Sequence, residues 1–505
     1  MHKRKGSSLN AKLLPHYGPA PTEAGSTKSR ARHIIKNSIP NTITYFCFHL
    51  STTVCFSILS AHSYNSPDST ELLAACGIGA SLLVSAYYSV FYSLNSAVLN
   101  LASQAYGGEK YTLVGYILHR ALIINISLMI PLAFLISKGE SLLLLVGLNQ
   151  QVSSLSIKYA MDMLPATSFA VIFNTLHYYL IAQEVLFPQV ISLGSCVTIQ
   201  YFLSYFLIGC GMDYYKAVVY SKTIIEIANV VAIIIYISRQ PILARTWFRP
   251  RRKSFRKLSL QLKAGVEGGS ITYFEVLVME TITFVSGMMD SSQVAAQAAF
   301  LNFTYVIAAA PVGIGNTVAA LVSEKIGEGS KEKALGYIRT GIGIILTLSV
   351  VTIIGVECFS DSIVQVYTND RDVAPALKVL MIFYPCFGFF DFLLQITSGL
   401  LRALGLEKLA SGSYFGVYYF ISLPTAYVLG IVCELGALGL WIGIALGAAI
   451  LSLMGVFTIF VKIDIEKQIE IIQKRLEQLE EHLPTYAPSV AIEMQEIEKP
   501  EENDY

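Results

Sequence analysis

Ser103-Gln-Ala-Tyr-Gly107, followed by Gly115-Tyr-Ile117, recurs as Ser323-Glu-Lys-Ile-Gly327, followed by Gly336-Tyr-Ile338. The copies stand about 220 residues apart in a chain of 505. In the same register, the segment near Gln183 matches the segment near Leu404. A shared offset of this size means one unit written twice, and parallel repeats about a central path are a transporter architecture.

The flanking sequence says what the unit is. Twelve apolar segments can be marked: 37–60, 73–101, 113–136, 154–182, 187–209, 217–238, 262–288, 294–322, 334–358, 373–401, 409–432 and 436–461. All reach the roughly 20 residues that an apolar helix needs to cross a bilayer. In lipid every backbone donor and acceptor needs an internal partner, so such runs are helices. Pro40, Pro131, Pro165, Pro311, Pro385 and Pro424 are then kinks rather than ends. The expected fold is all-α: a polytopic membrane protein of twelve transmembrane helices in two parallel six-helix repeats. The expected domains are a basic N-tail (1–36), an N-lobe (37–238), a basic linker (239–261), a C-lobe (262–461) and a C-tail (462–505).

Composition agrees. The chain is 54% hydrophobic and 14% charged, where soluble domains carry about a quarter charged residues. This excludes a disordered chain, a nucleic-acid binder and an ordinary cytosolic enzyme. No P-loop, HExxH or GxSxG motif occurs, so an enzyme or an ATP-driven pump is not expected. The eight cysteines lie in or beside apolar runs without a CxxC pair, and are read as buried, inert thiols with no metal and no disulfide framework. The sequons at Asn125 and Asn302 fall inside apolar runs and are expected to stay unglycosylated, and the N-terminus reads as having no signal peptide.

Lys and Arg set the orientation. About thirty fall in the tails and in the loops after even-numbered segments, against four in the loops after odd-numbered ones. Both termini are therefore expected to be cytoplasmic, in the plasma membrane or a vacuolar or other endomembrane. The basic linker, with Arg249, Arg251, Arg252 and Lys253, is read as lying near anionic headgroups. An amphipathic stretch near Ile465–Leu483 opens the C-tail, which is read as solvated.

Acids inside apolar runs point to function, because each costs about 2.5–3.5 kcal/mol at a helix centre on insertion scales. Glu275 lies mid-segment, about 20 Å from either end at 1.5 Å rise per residue. Glu280 lies about one and a half turns further on, and Asp391 lies mid-segment in the tenth run, with Gln395 one turn later. A carboxyl in a low-dielectric cavity holds a proton near neutral pH, and a cation beside it favours loss of that proton. That competition is a physical basis for proton–cation exchange. Lys158 with Asp162 and Lys222 with Glu226 are spaced i,i+4 and read as structural ion pairs near the outer surface. His49 and His177 are read as satisfied interhelical partners. Tyr87, Tyr88, Tyr273, Phe274 and Tyr305 offer aromatic faces to a cation, and nothing in the sequence separates cavity-lining aromatics from packing ones.

At four places the sequence resembles the multidrug and toxic compound extrusion (MATE) family, over roughly residues 35–461. Ser103-Gln-Ala-Tyr-Gly-Gly108 is similar to the family's SQAYG. Phe274-Glu275, Glu280 and Ser286-Gly287 are similar to the eukaryotic E-W-W-x-[FY]-E pattern ending in SG. Phe390-Asp391-Phe392-Leu393, then Ser398-Gly399 and Arg402, are similar to the helix-10 pattern leading into SGxxRGxG, and Gly439-Leu-Trp-Ile-Gly443 is similar to the helix-12 GLWIG.

The resemblance implies two six-helix lobes, alternating access, and export of organic cations or other amphipathic solutes against H⁺ or Na⁺ entry. It implies coupling through Glu275, Glu280 and Asp391, with no cofactor beyond the coupling ion. Asn302, Tyr305, Gln395, Tyr273 and Asn100 are candidates for the substrate cavity. The expected partners are a small organic cation and the lipid bilayer, with no nucleic acid, and the chain is expected to act as a monomer.

Departures from the pattern are specific. The usual Asp before SQAYG is Asn100, which removes an N-lobe carboxylate. Val276 and Leu277 replace the two tryptophans, Glu267 stands for the entry proline, and Leu321 and Glu324 replace an arginine and an asparagine. A lipid-linked flippase of the same superfamily and a non-transporting receptor or scaffold are the alternative readings.

Overall fold

The computed structural model describes residues 26–63, 69–145, 150–368 and 370–481, and among them the regular structure is helical throughout. The first six long helices are α1 (Thr27–Ser63), α2 (69–107, with a π turn at Val84–Tyr88), α3 (Tyr111–Ser137), α4 (Gln150–Ile181), α5 (Phe187–Gly209) and α6 (Tyr214–Arg239). The next six are α7 (Leu258–Ser286), α8 (Ser291–Gly327), α9 (Lys331–Tyr367), α10 (Val373–Ala403), α11 (Glu407–Val432) and α12 (Gly436–Lys462). A short helix, Glu140–Leu145, precedes α4, and α13 (Ile465–Glu480) follows α12. Ten of the long helices are long and apolar enough to cross a membrane by length and composition. The other two, α4 and α7, carry the charges Lys158, Asp162, Glu267, Glu275 and Glu280. The prolines expected to kink helices all sit within these bodies.

The duplication is visible in the turns. After α2, Glu109 takes a left-handed φ of 57°, and Lys110 N–H donates back to Ala105. After α8, Gly329 takes φ 76°, and Ser330 N–H donates back to Lys325. The same cap follows α4 at Glu184 (φ 57°) and α10 at Gly405 (φ 73°). Each is a Schellman termination, which satisfies the last helical carbonyls.

The two halves touch most closely at the termini-bearing end. A side-chain carbon on Gly107 would strike the backbone of Glu324, and one on Gly327 would strike that of Gln104. Further along, Gly269 lies against the Ser93 backbone and Gly313 against that of Thr42. Small residues at such crossings let helices approach where lipid offers no hydrophobic drive. Polar links cross the same seam: Asn41 to Thr317 at 2.7 Å, Ser323 to Asn100 at 3.1 Å, and Gln104 to the Ala403 carbonyl at 3.1 Å.

Three expectations change here. Helix α1 begins at Thr27, inside the stretch read as tail, because His33 and Asn37 hydrogen-bond the Glu184 carboxylate. The linker is tied down rather than merely near headgroups: His119 meets the Phe248 carbonyl at 3.0 Å, and Thr246 joins Tyr179 and Gln183. The beginning of the C-tail is docked rather than solvated. Helix α13 buries Ile465, Ile469, Ile472, Leu476 and Leu479 across the termini-bearing face. It is ion-paired to Lys110 and Lys331, one from each half, and to Glu407 through Arg475. Buried Arg120 donates to the Leu479 carbonyl at the C-terminus of α13, where the helix dipole favours a cation. The acidic, Pro-containing remainder of the tail lies outside the described residues.

Cys47, Cys55, Cys76 and Cys196 are buried as expected, whereas Cys210, Cys358, Cys386 and Cys433 lie at the surface. Asn125 is buried and donates to Asn95 and Thr175, which leaves no room for a glycan.

Candidate functional site

Between the halves lies a cavity of about 840 Å³, bordered mainly by α1, α2, α4, α7, α8 and α10. This is within the range of small-molecule sites.

On the second half's wall, α7 and α10 bring together the acids singled out by sequence. Gln395 donates from Nε2 to Glu275 Oε1 at 2.5 Å, and it also reaches Asp391 one turn earlier on α10. Arg402 lines the cavity nearby, donates to Thr272 at 3.0 Å, and interacts electrostatically with Glu275. Glu280 lies on the same helix as Glu275 and reaches across to Ser81 of α2. Charge is costly away from water unless compensated. Glu275 and Asp391 are therefore placed where a proton, a small cation or an organic ammonium adds most. Asn302, Tyr305 and Gln395 line the cavity as expected.

Two candidates do not. Asn100 accepts from Ser323 and donates to the Ser96 carbonyl within the closed seam, away from the cavity lining. Tyr273 lies outside the lining and packs against Phe274, which in turn meets Phe415 and Tyr419 of α11. Tyr273 precedes Glu275 by two residues, about 200° around α7, which turns it away from the cavity.

The aromatics sort themselves similarly. Tyr88 stacks on Phe48 at 5.1 Å, and His49 stacks on Tyr305 at 5.7 Å, with Phe48 and His49 edge to face. This row runs from the first half to the second along the cavity. Tyr87 instead turns to Ser168 at 2.7 Å. Trp441 is fully buried behind the wall, donates to Gln297, and meets Phe300 and Phe387 edge to face.

Three polar residues behave differently from their sequence reading. His177 lines the cavity, yet neither ring nitrogen has a hydrogen-bond partner among the described residues, and the ring stacks with Phe173. Asp162 accepts from Tyr215 at 2.8 Å and forms no ion pair with Lys158 among the described residues. Lys222 and Glu226 do pair, at 2.6 Å, but Glu226 borders the cavity rather than the outer surface. Sequence reasoning also left Arg402 as part of a motif. Its basic charge directly at the end of the apolar run 373–401 was the available signal.

Twelve long helices among the described residues, with duplicated halves, a closed end and an acid-lined central cavity, define the class: a transporter fold. A family model described as MatE matches residues 40–206 and 271–428. The chain belongs to the MATE family. It is 23% identical over 393 residues to Protein DETOXIFICATION 17 of Arabidopsis thaliana, covering 76% of this chain and 82% of that protein. It is 26% identical over 384 residues to Multidrug and toxin extrusion protein 1 of Danio rerio, covering 75% of this chain and 64% of that protein. The crystal structure of the eukaryotic MATE transporter AtDTX14 shares the fold, with TM-score 0.82 at 19% identity over 88% of this chain and 100% of that one. A multidrug resistance MATE transporter solved in an outward-facing conformation has TM-score 0.70 at 17% identity, covering 88% of this chain and 97% of that one.

Proposed function

We propose that this MATE transporter is an antiporter that exports organic cations in exchange for protons or Na⁺. Glu275 and Asp391 alternate between the coupling ion and the substrate. Gln395 positions both carboxylates, and Glu280 tunes the path on the side away from the termini. The observation that carries this reading is the Glu275–Gln395–Asp391 cluster on the cavity wall, with Arg402 as its fixed neighbouring charge. Two desolvated carboxyls beside a cavity require a mobile counter-charge. Exchanging one counter-charge for another as the cavity changes sides is antiport.

The closed seam at the termini-bearing end supports an exporter whose resting cavity is sealed from that side. With the basic-residue bias, that side is the cytoplasm. The chain acts as a monomer in the plasma membrane or an endomembrane.

Reconstituted vesicles test the reading. An imposed pH gradient or Na⁺ gradient, applied separately, should drive tetraphenylphosphonium uptake in one case. Glu275→Gln should abolish it. Native-rate exchange by Glu275→Gln would defeat the mechanism.

A further inference from the structure

The wall contributed by the first half holds a charge pair that the exporter reading does not use. Lys222 and Glu226 lie one turn apart on α6 with their charged atoms at 2.6 Å. Glu226 is buried, with its side chain only 4% exposed, and Lys222 is largely covered at 13%. The described contact to Glu226 is through one oxygen, Oε1, and the residue borders the cavity. Tyr88, a member of the aromatic row, feels its charge.

Lys222 is held by more than its partner. Its Nζ also donates to Ser51 Oγ on α1 at 2.6 Å, and Ser51 in turn donates to Gln200 Oε1 on α5 at 2.5 Å. Gln200 is fixed by the Ser51 carbonyl at 3.2 Å and by Cys55 Sγ at 3.0 Å. Lys222 therefore keeps an acceptor on α1 if Glu226 takes another cation. A buried ion pair contributes little net stability against apolar residues of the same volume, because desolvation consumes most of the attraction. This one, moreover, faces space that a ligand can enter.

We infer that Glu226 is a second cation-binding carboxylate of the cavity, with Lys222 as a tethered occupant that an incoming cationic group displaces. The acids on α7 and α10 take one positive centre, the row from Tyr88 to Tyr305 takes a flat aromatic body, and Glu226 takes a second positive centre. The ligand class this fits is a planar aromatic dication. The inference rests on the reading of the cavity as a cation-export path.

Two probes separate the possibilities: tetraphenylphosphonium, with one charge, and methyl viologen, with two. Binding is measured on purified full-length protein in detergent and by uptake in vesicles. Glu226→Gln should weaken methyl viologen about tenfold and leave tetraphenylphosphonium within about twofold. Lys222→Met leaves a buried carboxylate uncompensated and should lower Tm. Methyl viologen should restore that Tm more than tetraphenylphosphonium does.

If the single variants fail to fold, Lys222→Met/Glu226→Met, which removes both charges, gives the answer. It should keep tetraphenylphosphonium and lose the preference for the dication. Native methyl viologen affinity in that variant, or in folded Glu226→Gln, overturns the inference. If tetraphenylphosphonium transport still depends on Glu275, the exporter reading survives that result. If the native protein carries neither probe, both fall.

Discussion

Gly107 packs on the backbone of Glu324, and Gly327 packs on the backbone of Gln104. Each glycine therefore meets the residue three places before its own counterpart, so the duplicated motif closes on itself across a pseudo-two-fold axis. Neither position has room for a β-carbon unless backbone moves. Gly327→Ala should cost about 1–3 kcal/mol by overpacking and loosen the seam. The check is Tm, together with labelling of a cysteine introduced at buried Ser323 by a membrane-impermeant thiol reagent. An unchanged Tm and no labelling would mean that the seam can absorb the methyl group.

Gln395→Leu removes the donor that holds Glu275. Hydrogen bonds to charged groups contribute about 1.5–3 kcal/mol, so initial transport rates should fall at least about tenfold at equal protein in vesicles. Gln395→Asn should recover part of the loss if the amide acts by positioning the carboxylates.

Acid should weaken the contacts at the termini-bearing end through Glu184. Burial pushes this carboxyl up. The hydrogen bond and charge of His33, a contact with Glu324 and the charge of Lys325 outweigh burial and leave it below its ordinary value. A depressed carboxyl contributes stability that is full above its unfolded pKa, about 4.3. That contribution is lost as pH falls through the lower folded value. Thermal melts of native protein and Glu184→Gln should therefore converge as pH falls below about 4. A constant Tm difference down to pH 3 would rule out this contribution.

Glu109 occupies a left-handed turn that its repeat partner, Gly329, fills with glycine. A residue with a β-carbon pays about 1–2 kcal/mol there. Glu109→Gly should be neutral to stabilising in a thermal melt, whereas Gly329→Val should destabilise.

Arg120 secures α13 by its donation to the Leu479 carbonyl. Arg120→Met should free that end of the helix. Limited proteolysis should then cut within residues 464–481 faster than in the native protein, while the transmembrane core keeps its Tm within a few degrees.

The periodic features were legible in the sequence. Apolar length gave the helices, and a fixed offset gave the duplication that reappears in the Glu109/Gly329 and Glu184/Gly405 turns. Acids inside apolar runs led to Glu275, Glu280 and Asp391, because charge in lipid is rare enough to stand out. Helix phase was less visible. Tyr273 and Asn100 sit on the right helices but face a neighbouring helix and the closed seam. Pair assignment failed where a distant helix offered a better partner: Asp162 takes the Tyr215 hydroxyl from α6 instead of the adjacent lysine. Docking of α13 was hidden because an amphipathic stretch does not say what covers its apolar side.

Helix α13 is a brace laid across both halves. Its apolar side is insensitive to salt, but its links to Lys110, Lys257 and Lys331 are partly exposed ion pairs. Such pairs weaken as the Debye length shrinks from about 30 Å at 0.01 M to about 3 Å at 1 M ionic strength. The electrolyte bathing that face therefore sets how firmly the brace grips, and a transporter built this way carries an ionic-strength dial on the outside of its own machinery.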